Sequence, residues 1–213
     1  MRYLKGKKVL ITAGPTREYI DPVRYISNDS SGKMGYALAE AALKMGAKVT
    51  LISGPTNLTN RGGLQTVHVV SAREMYRAAL KAAKSADIII CAAAVSDFRP
   101  KIVSRKKIKV GETRDTRYEI QLSLATNPDI LKEIGQRKRP SQLLIGFALE
   151  TDNLIKNAKK KMKDKNCDMI VANLNTAIGK DKTRVKIIRD DKIISLSASK
   201  KDIAAKILDL LNR

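Results

Sequence analysis

The sequence predicts an α/β fold, a Rossmann-like parallel sheet flanked by helices, with antiparallel hairpin excursions. Two observations carry this expectation. Short apolar and β-branched runs at Val9 to Thr12, Val49 to Ile52 and Asp87 to Ala92 alternate with stretches of helical periodicity, the rhythm of a buried parallel sheet. Charged segments with short alternating runs interrupt that rhythm, as hairpins inserted into it would. The length of 213 residues suits one domain, residues 1–213, able to bury a sizeable core.

The first strand, Val9 to Thr12, closes at the turn residues Gly14 and Pro15. Leu38, Ala41, Ala42 and Met45 share one face of a helix from Met34 to Met45, which Gly46 stops. Val49 to Ile52 and Thr66 to Val70 read as the next strands, and the helix Ala72 to Lys84 leads into the strand Asp87 to Ala92. Lys101 to Leu124 reads as a hairpin excursion, with short runs at Lys107 to Val110 and Tyr118 to Leu122 and a tip near Gly111 to Thr116. Asn127 is expected to cap a helix that starts at Pro128. Leu143 to Phe147 and Met169 to Ala172 are two further parallel strands, separated by a basic helix from Asp152 to Lys165. A second hairpin, Val185 to Arg189 with Lys192 to Leu196, precedes a closing helix from Lys200 to Leu211.

The formal net charge of +21 implies anionic substrates or partners. Nucleic acid is the obvious rival, but aromatics make up only 4% of the chain, and zinc-finger spacing and RNA-recognition signatures are absent, so no nucleic-acid partner is expected. Cys91 and Cys167 cannot make a disulfide scaffold; both lie in or beside apolar runs and read as buried, reduced thiols of a cytoplasmic protein. The apolar stretch Ile88 to Val95 is too short to span a bilayer, and the amino terminus lacks an apolar signal core, so no membrane partner is expected.

The stretch Ile11 to Gly35, ITAGPTREYIDPVRYISNDSSGKMG, combines a strand end, a Gly-Pro turn, two arginines, an Asn and a Gly-Lys helix start. Such a mixture suits an anion at the carboxyl end of a first parallel strand. A dinucleotide site is disfavoured, because G-x-G-x-x-G is missing and the second strand ends Ser53-Gly54 without an acidic residue. A Walker A loop fails too, since Met34 follows Gly32-Lys33. Gly14, Ser31, Gly32 and Lys33 are candidates for holding phosphate on main-chain N–H groups, or they form an ordinary helix start. Arg17 and Arg24 can hold a carboxylate or phosphate, or pair with Glu18 or Asp21. Asn28 can donate to a substrate oxygen or make a turn with Asp29. Asp97 can bind a sugar hydroxyl, a base amine or a metal ion, or cap a loop. Lys107 and Lys109 would share one strand face, and Lys161 and Lys165 one helix face; both pairs suit an anion or plain solvent. His68 reads as structural, and no nucleophilic triad or zinc set can be assembled, which favours chemistry by positioning and charge.

In this order, that long motif, AAAVSDF, the basic KKIK element, NPDIL, GFALET and the Lys-rich helix ending Asn166-Cys167-Asp168 resemble the bacterial-type phosphopantothenoylcysteine synthetase family over nearly the whole chain. The resemblance implies a ligase of coenzyme A biosynthesis. 4′-Phosphopantothenate would be activated by CTP as an acyl-cytidylate, with magnesium assisting and no flavin in this domain, and cysteine would then form the amide. It implies Asn28 at the acyl-phosphate and Lys107 as the second catalytic residue. Cys91, Ala92, Ala93, Asp97, Lys107, Asn127, Pro128, Asp129, Ile130, Phe147, Lys161 and Lys165 would form the nucleotide site, while Phe147 can also be core. The metal ligands are left unassigned. A homodimer is implied, as is a flavin-dependent decarboxylase fused upstream in many members, so the chain is a standalone synthetase or an excised domain; the Val185 to Leu196 hairpin, an exposed strand edge, is the candidate pairing edge. It departs from many members at Lys107-Ile108-Lys109-Val110, where they read KIKK, and at Gly179-Lys180, where they often carry an apolar residue after the glycine.

Overall fold

The computed structural model describes residues 4–59, 63–109, 121–174, 182–190 and 192–211. Eight strands form the central sheet in the order β12-β11-β10-β9-β6-β1-β4-β5. β1 (Lys8–Ala13) lies between β4 (Lys48–Ser53) and β6 (Ile88–Cys91), parallel to both. β5 (Gln65–His68), β9 (Leu143–Glu150) and β10 (Met169–Leu174) extend the parallel set. β11 (Lys182–Arg189) and β12 (Lys192–Ser199) add an antiparallel hairpin that closes in the register Arg189↔Lys192. The inner parallel strands β1, β4, β6, β9 and β10 are largely apolar because helices cover both faces, whereas β5, β11 and β12 carry exposed polar positions.

On one face α1 (Lys33–Lys44) and α5 (Lys200–Asp209) bury Leu38, Ala42, Ile203 and Ile207 against Ile11, Leu51 and Ile187. On the other α2 (Ala72–Ala83), α3 (Ile130–Arg137) and α4 (Leu154–Asp164) enclose Met75, Ile134 and Ala158 with Leu10, Ile89 and Ile170. Ser71 caps α2 by accepting from the Glu74 N–H, and Ser199 caps α5 by accepting from that of Asp202. Among the described residues no helix is long and apolar enough to cross a membrane.

Three local expectations are corrected. First, β2 (Arg17–Tyr19) and β3 (Tyr25–Ser27) form a small antiparallel hairpin within the stretch read as one ligand loop. Second, the excursion's paired stem is β7 (Phe98–Pro100) with β8 (Leu124–Thr126), whereas Lys107 to Lys109 lie in no strand. Lys107 and Lys109 are therefore not set on one face by strand alternation. Val110, the tip at Gly111 to Thr116, and Tyr118 to Ile120 of the second run lie outside the described residues, as do Gly179 and Lys180. Third, Asp129, not Asn127, caps α3, which begins at Ile130. The Asp129 carboxylate accepts from the Lys132 N–H, while the Asn127 side chain turns to another segment.

α3 meets the carboxyl end of α4 at a glycine. A β-carbon on Gly135 would lie 1.9 Å from the carbonyl oxygen of Lys165. Backbone cannot yield as a flexible side chain does, so Gly135→Ala is expected to cost about 1–3 kcal/mol of stability. Urea unfolding of the variant beside the parent chain measures it.

Candidate functional site

The strand order reverses direction at β1. The chain passes from β1 to β4 and β5 on one side, then crosses to β6 on the other. The crevice beyond the carboxyl ends of β1 and β6 is the topological switch point, where open α/β sheets take their ligands.

The two walls are laced together by main chain. The Ala92 N–H donates to the Thr12 carbonyl, that of Ala93 to Thr12 Oγ1, that of Ala94 to the Gly14 carbonyl and that of Ser96 to Thr16 Oγ1. The N–H groups of Ala92 and Ala93, two residues expected to contact nucleotide through backbone, are thus engaged within the protein. Asn28 crosses the crevice: its Nδ2 donates to the carbonyls of Ala94 at 3.2 Å and Val95 at 3.0 Å. Those bonds use the amide hydrogens expected to face an acyl group. Four residues after Asn28, Gly32 sits at φ +74° and opens α1 without a side-chain cap, its own N–H donating to Ser30 Oγ at 3.3 Å.

Asp97 is exposed at the lip, and its carbonyl accepts from the Asn127 N–H. Asn127 Nδ2 donates to the Ser96 carbonyl at 2.9 Å, and Arg99 donates to the Thr126 carbonyl. Asn127 therefore adjoins Asp97. The start of α3 is less open to a triphosphate than expected, because the carboxylate of Asp129 already occupies it.

Asp129 pairs with Lys165 at 2.5 Å. Burial opposes its charged form, but Lys165, the Lys132 N–H and the field of Lys161 outweigh burial and hold the carboxyl below its ordinary value. Of the two lysines, Lys161 is the one not committed to that ion pair. Its field also reaches Cys91. Burial pushes the thiols of both Cys91 and Cys167 up to about 12, so neither is a nucleophile at neutral pH. Phe147 is half-buried on β9 against the core, one residue beyond Gly146, the strand partner of Cys91.

The arginines divide. The Arg17 guanidinium lies 4.5 Å from the centroid of the Tyr25 ring, and the side chain borders a cavity of about 280 Å³ beside Tyr36, Gly54 and the exposed His68. Arg24 is bound to Asp21 through Nε at 2.9 Å and Nη2 at 2.5 Å, so its guanidinium is paired rather than aimed at a phosphate. Arg24, the opposing effect of burial, and the N–H groups of Val23, Arg24 and Ile108 leave the Asp21 carboxyl well below the usual carboxylate range. A carboxylate depressed in the folded chain favours folding at neutral pH; that contribution fades only as the pH falls below the ordinary carboxylate range. Lys107 is exposed, and its link to the site runs through Ile108, whose N–H donates to Asp21 at 3.1 Å. A second cavity, of about 600 Å³, lies between α2 and α3 beside Gln142, away from the crevice.

Sequence reasoning offered Glu18 and Asp21 only as partners for the arginines, and gave Thr12 and Thr16 no role. Thr12 and Thr16 hold the β6 end, Glu18 accepts from the Ala72 N–H at the start of α2, and Asp21 gathers Arg24 and Ile108. The buried polar character of Thr12, Thr16, Glu18 and Asp21 is visible only in the fold.

Residues 4–213 match the family described as DNA/pantothenate metabolism flavoprotein C-terminal domain. The chain is 45% identical over 211 residues to the coenzyme A biosynthesis bifunctional protein CoaBC of Borreliella burgdorferi, covering 98% of this chain and 53% of that protein. It is 51% identical over 171 residues to the CoaBC of Bacillus subtilis, covering 80% and 41%. The chain thus spans about half the length of the curated relatives it matches. The crystal structure of the C-terminal domain of a CoaBC superposes with a TM-score of 0.85 at 43% identity, over 100% of this chain and 97% of that one. With this fold and this match along nearly its full length, the chain belongs to the DNA/pantothenate metabolism flavoprotein C-terminal domain family and corresponds to the C-terminal, synthetase part of the CoaBC proteins.

Proposed function

We propose that this chain catalyses the synthetase step of coenzyme A biosynthesis, joining 4′-phosphopantothenate to cysteine with CTP. The substrate carboxylate attacks the α-phosphorus of CTP and pyrophosphate leaves. The cysteine amine then attacks the acyl carbon, loses a proton and expels CMP. The observation that carries this reading is the switch-point crevice, walled by Gly14, the uncapped start of α1 and the Ala94–Asp97 segment, and spanned by Asn28. The names of the relatives support the pathway.

In this reading the α1 start meets an anionic group, Lys107 and Lys161 face the triphosphate, and Asn28 fixes the wall against which the acyl-phosphate lies. Fixed donors and cations of this kind act where charge develops. Magnesium fits through the nucleotide rather than a protein cage. Among the described residues no group of three or more His, Cys, Asp or Glu could hold an ion. Asp97 is the exposed carboxylate that would share one with phosphate oxygens. When bound, the ion would supply charge neutralisation at the phosphates. A cytoplasmic location and an upstream decarboxylase domain, which the CoaBC relatives suggest, belong to the same proposal.

A homodimer also belongs to it, on a surface different from the expected hairpin edge. β12 leaves Ile193 as its exposed large apolar side chain, whereas Tyr19, Tyr25, Phe98, Ile102 and Leu124 are all exposed on and beside β2, β3, β7 and β8. Ile102 is 81% and Phe98 51% exposed, which suits a covering partner copy.

Three measurements test these statements. With CTP, magnesium, 4′-phosphopantothenate and cysteine, the purified chain should release pyrophosphate and form the amide; equal turnover with ATP would overturn the choice of nucleotide, and no turnover with any nucleotide would overturn the reaction. Asn28→Asp sets a negative charge against two carbonyls and the developing phosphate charge, so turnover should fall about a hundred- to thousand-fold, and a thermal melt should show a modest loss. Full turnover by that variant would remove Asn28 from the site. Light scattering should give a dimer that Ile102→Glu converts to monomer; an Ile102→Glu dimer would place the interface elsewhere.

A further inference from the structure

Asp21 is fully buried, yet its carboxylate serves no substrate-facing role in the crevice just described. Its Oδ1 accepts from the N–H groups of Val23 and Arg24, both at 2.8 Å, closing the turn between β2 and β3. Its Oδ2 accepts from Arg24 Nε and Nη2 and, at 3.1 Å, from the N–H of Ile108. Arg24 Nη2 also donates to the Ile108 carbonyl at 2.5 Å. Both main-chain groups of Ile108 are therefore held by one ion pair, 87 residues away along the chain from Asp21. A second tie lies just upstream, where the Ser104 N–H donates to the Ile20 carbonyl at 2.9 Å.

These bonds explain how a segment outside any strand acquires a fixed backbone. Ile108 carries Lys107 on one side and Lys109 on the other, and a lysine at a fixed main-chain position has only its own side-chain torsions to adjust. We propose that Asp21, acting with Arg24, is a positioning residue that holds Ile108 and so sets Lys107 over the nucleotide. The inference rests on the ligase reading for the role of Lys107, but the holding itself does not. Burial gives the contact its strength: a carboxylate with this many donors and no access to water has no solvent substitute if a donor is withdrawn. Misplacement of about 1 Å from a change away from the chemistry can cost about a hundredfold in rate.

The test combines a readout of the segment with a cycle on activity. Asp21→Asn keeps the side chain's shape but turns an NH2 group toward the donors. In hydrogen–deuterium exchange, the Ile108 amide should be protected in the parent chain and exchange faster in Asp21→Asn, with the protection of β1, β6 and α1 unchanged. In the CTP-dependent assay, Asp21→Asn and Lys107→Gln should each lower turnover, by about a hundredfold for the former. The double variant should be no worse than the poorer single one, because both act through the same side chain. Should Asp21→Asn fail to fold, Arg24→Gln removes the bond to the Ile108 carbonyl while leaving the Val23 and Arg24 main-chain bonds to Asp21. It should reproduce the faster exchange and the non-additivity. Unchanged exchange at Ile108 in a folded variant overturns the holding. Faster exchange with multiplicative losses in the double variant overturns the action through Lys107. Full activity of Lys107→Gln counts instead against the ligase role given to that lysine, with the exchange result still deciding whether Asp21 holds the segment.

Discussion

The carbonyl oxygen of Pro15 lies 1.8 Å from the point where Gly54 would carry a β-carbon, and Gly35 comes within 2.5 Å of the Ala13 β-carbon on the same measure. The crevice depends on this closeness of main chain to main chain. It seats the start of α1 directly against the ends of β1 and β4, so that the α1 amides, the Gly14 turn and the β6 end converge. Side chains at Gly35 or Gly54 would push these walls apart, and Asn28 could no longer reach the Ala94 and Val95 carbonyls. In the proposed reading a ligand here would be met largely by fixed backbone, which needs little reorganisation as charge develops.

The parallel core was legible because strands buried on both faces must be apolar at nearly every position, and the helices between them repeat their apolar residues at helical spacing. β2 and β3 were not, since three-residue strands carry no period to read. The Lys107-Ile108-Lys109 alternation imitated a strand. Its main-chain groups bind Asp21 and Arg24 instead of a neighbouring strand, and no local pattern announces a partner so far along the chain. The α3 cap was ambiguous within Asn127-Pro128-Asp129, as either polar residue can accept from a main-chain amide. The fold decides it because Asn127 is drawn to the Ser96 carbonyl, leaving the cap to Asp129.

The charge excess has a structural counterpart that composition alone conceals. The chain has 42 basic and 21 acidic residues. Several acids near the ligand end are already committed: Asp21 to Arg24, Asp129 to Lys165, and Glu18 to the start of α2. At the far end Lys138 joins Asp168, whose carboxylate also accepts from the Leu144 N–H. These commitments decide where a neighbouring lysine remains available. On α4 the result is asymmetric: Lys165 is drawn to Asp129, while the field of Lys161 reaches Asp129 and Cys91.

Cys91 is the last residue of β6 and a member of the proposed nucleotide site. Under the proposed ligase reaction, a thiolate there would compete with the incoming amine for an activated acyl group. Its sulfur would take the acyl group as a thioester and strand it on the protein. Burial pushes the Cys91 thiol up to about 12, even though the field of Lys161 acts in the opposite sense, and so disfavours a thiolate there. At neutral pH the residue is almost wholly protonated. What Cys91 offers at the crevice is therefore backbone and bulk, which is consistent with a reaction run by positioning and charge rather than by a protein nucleophile.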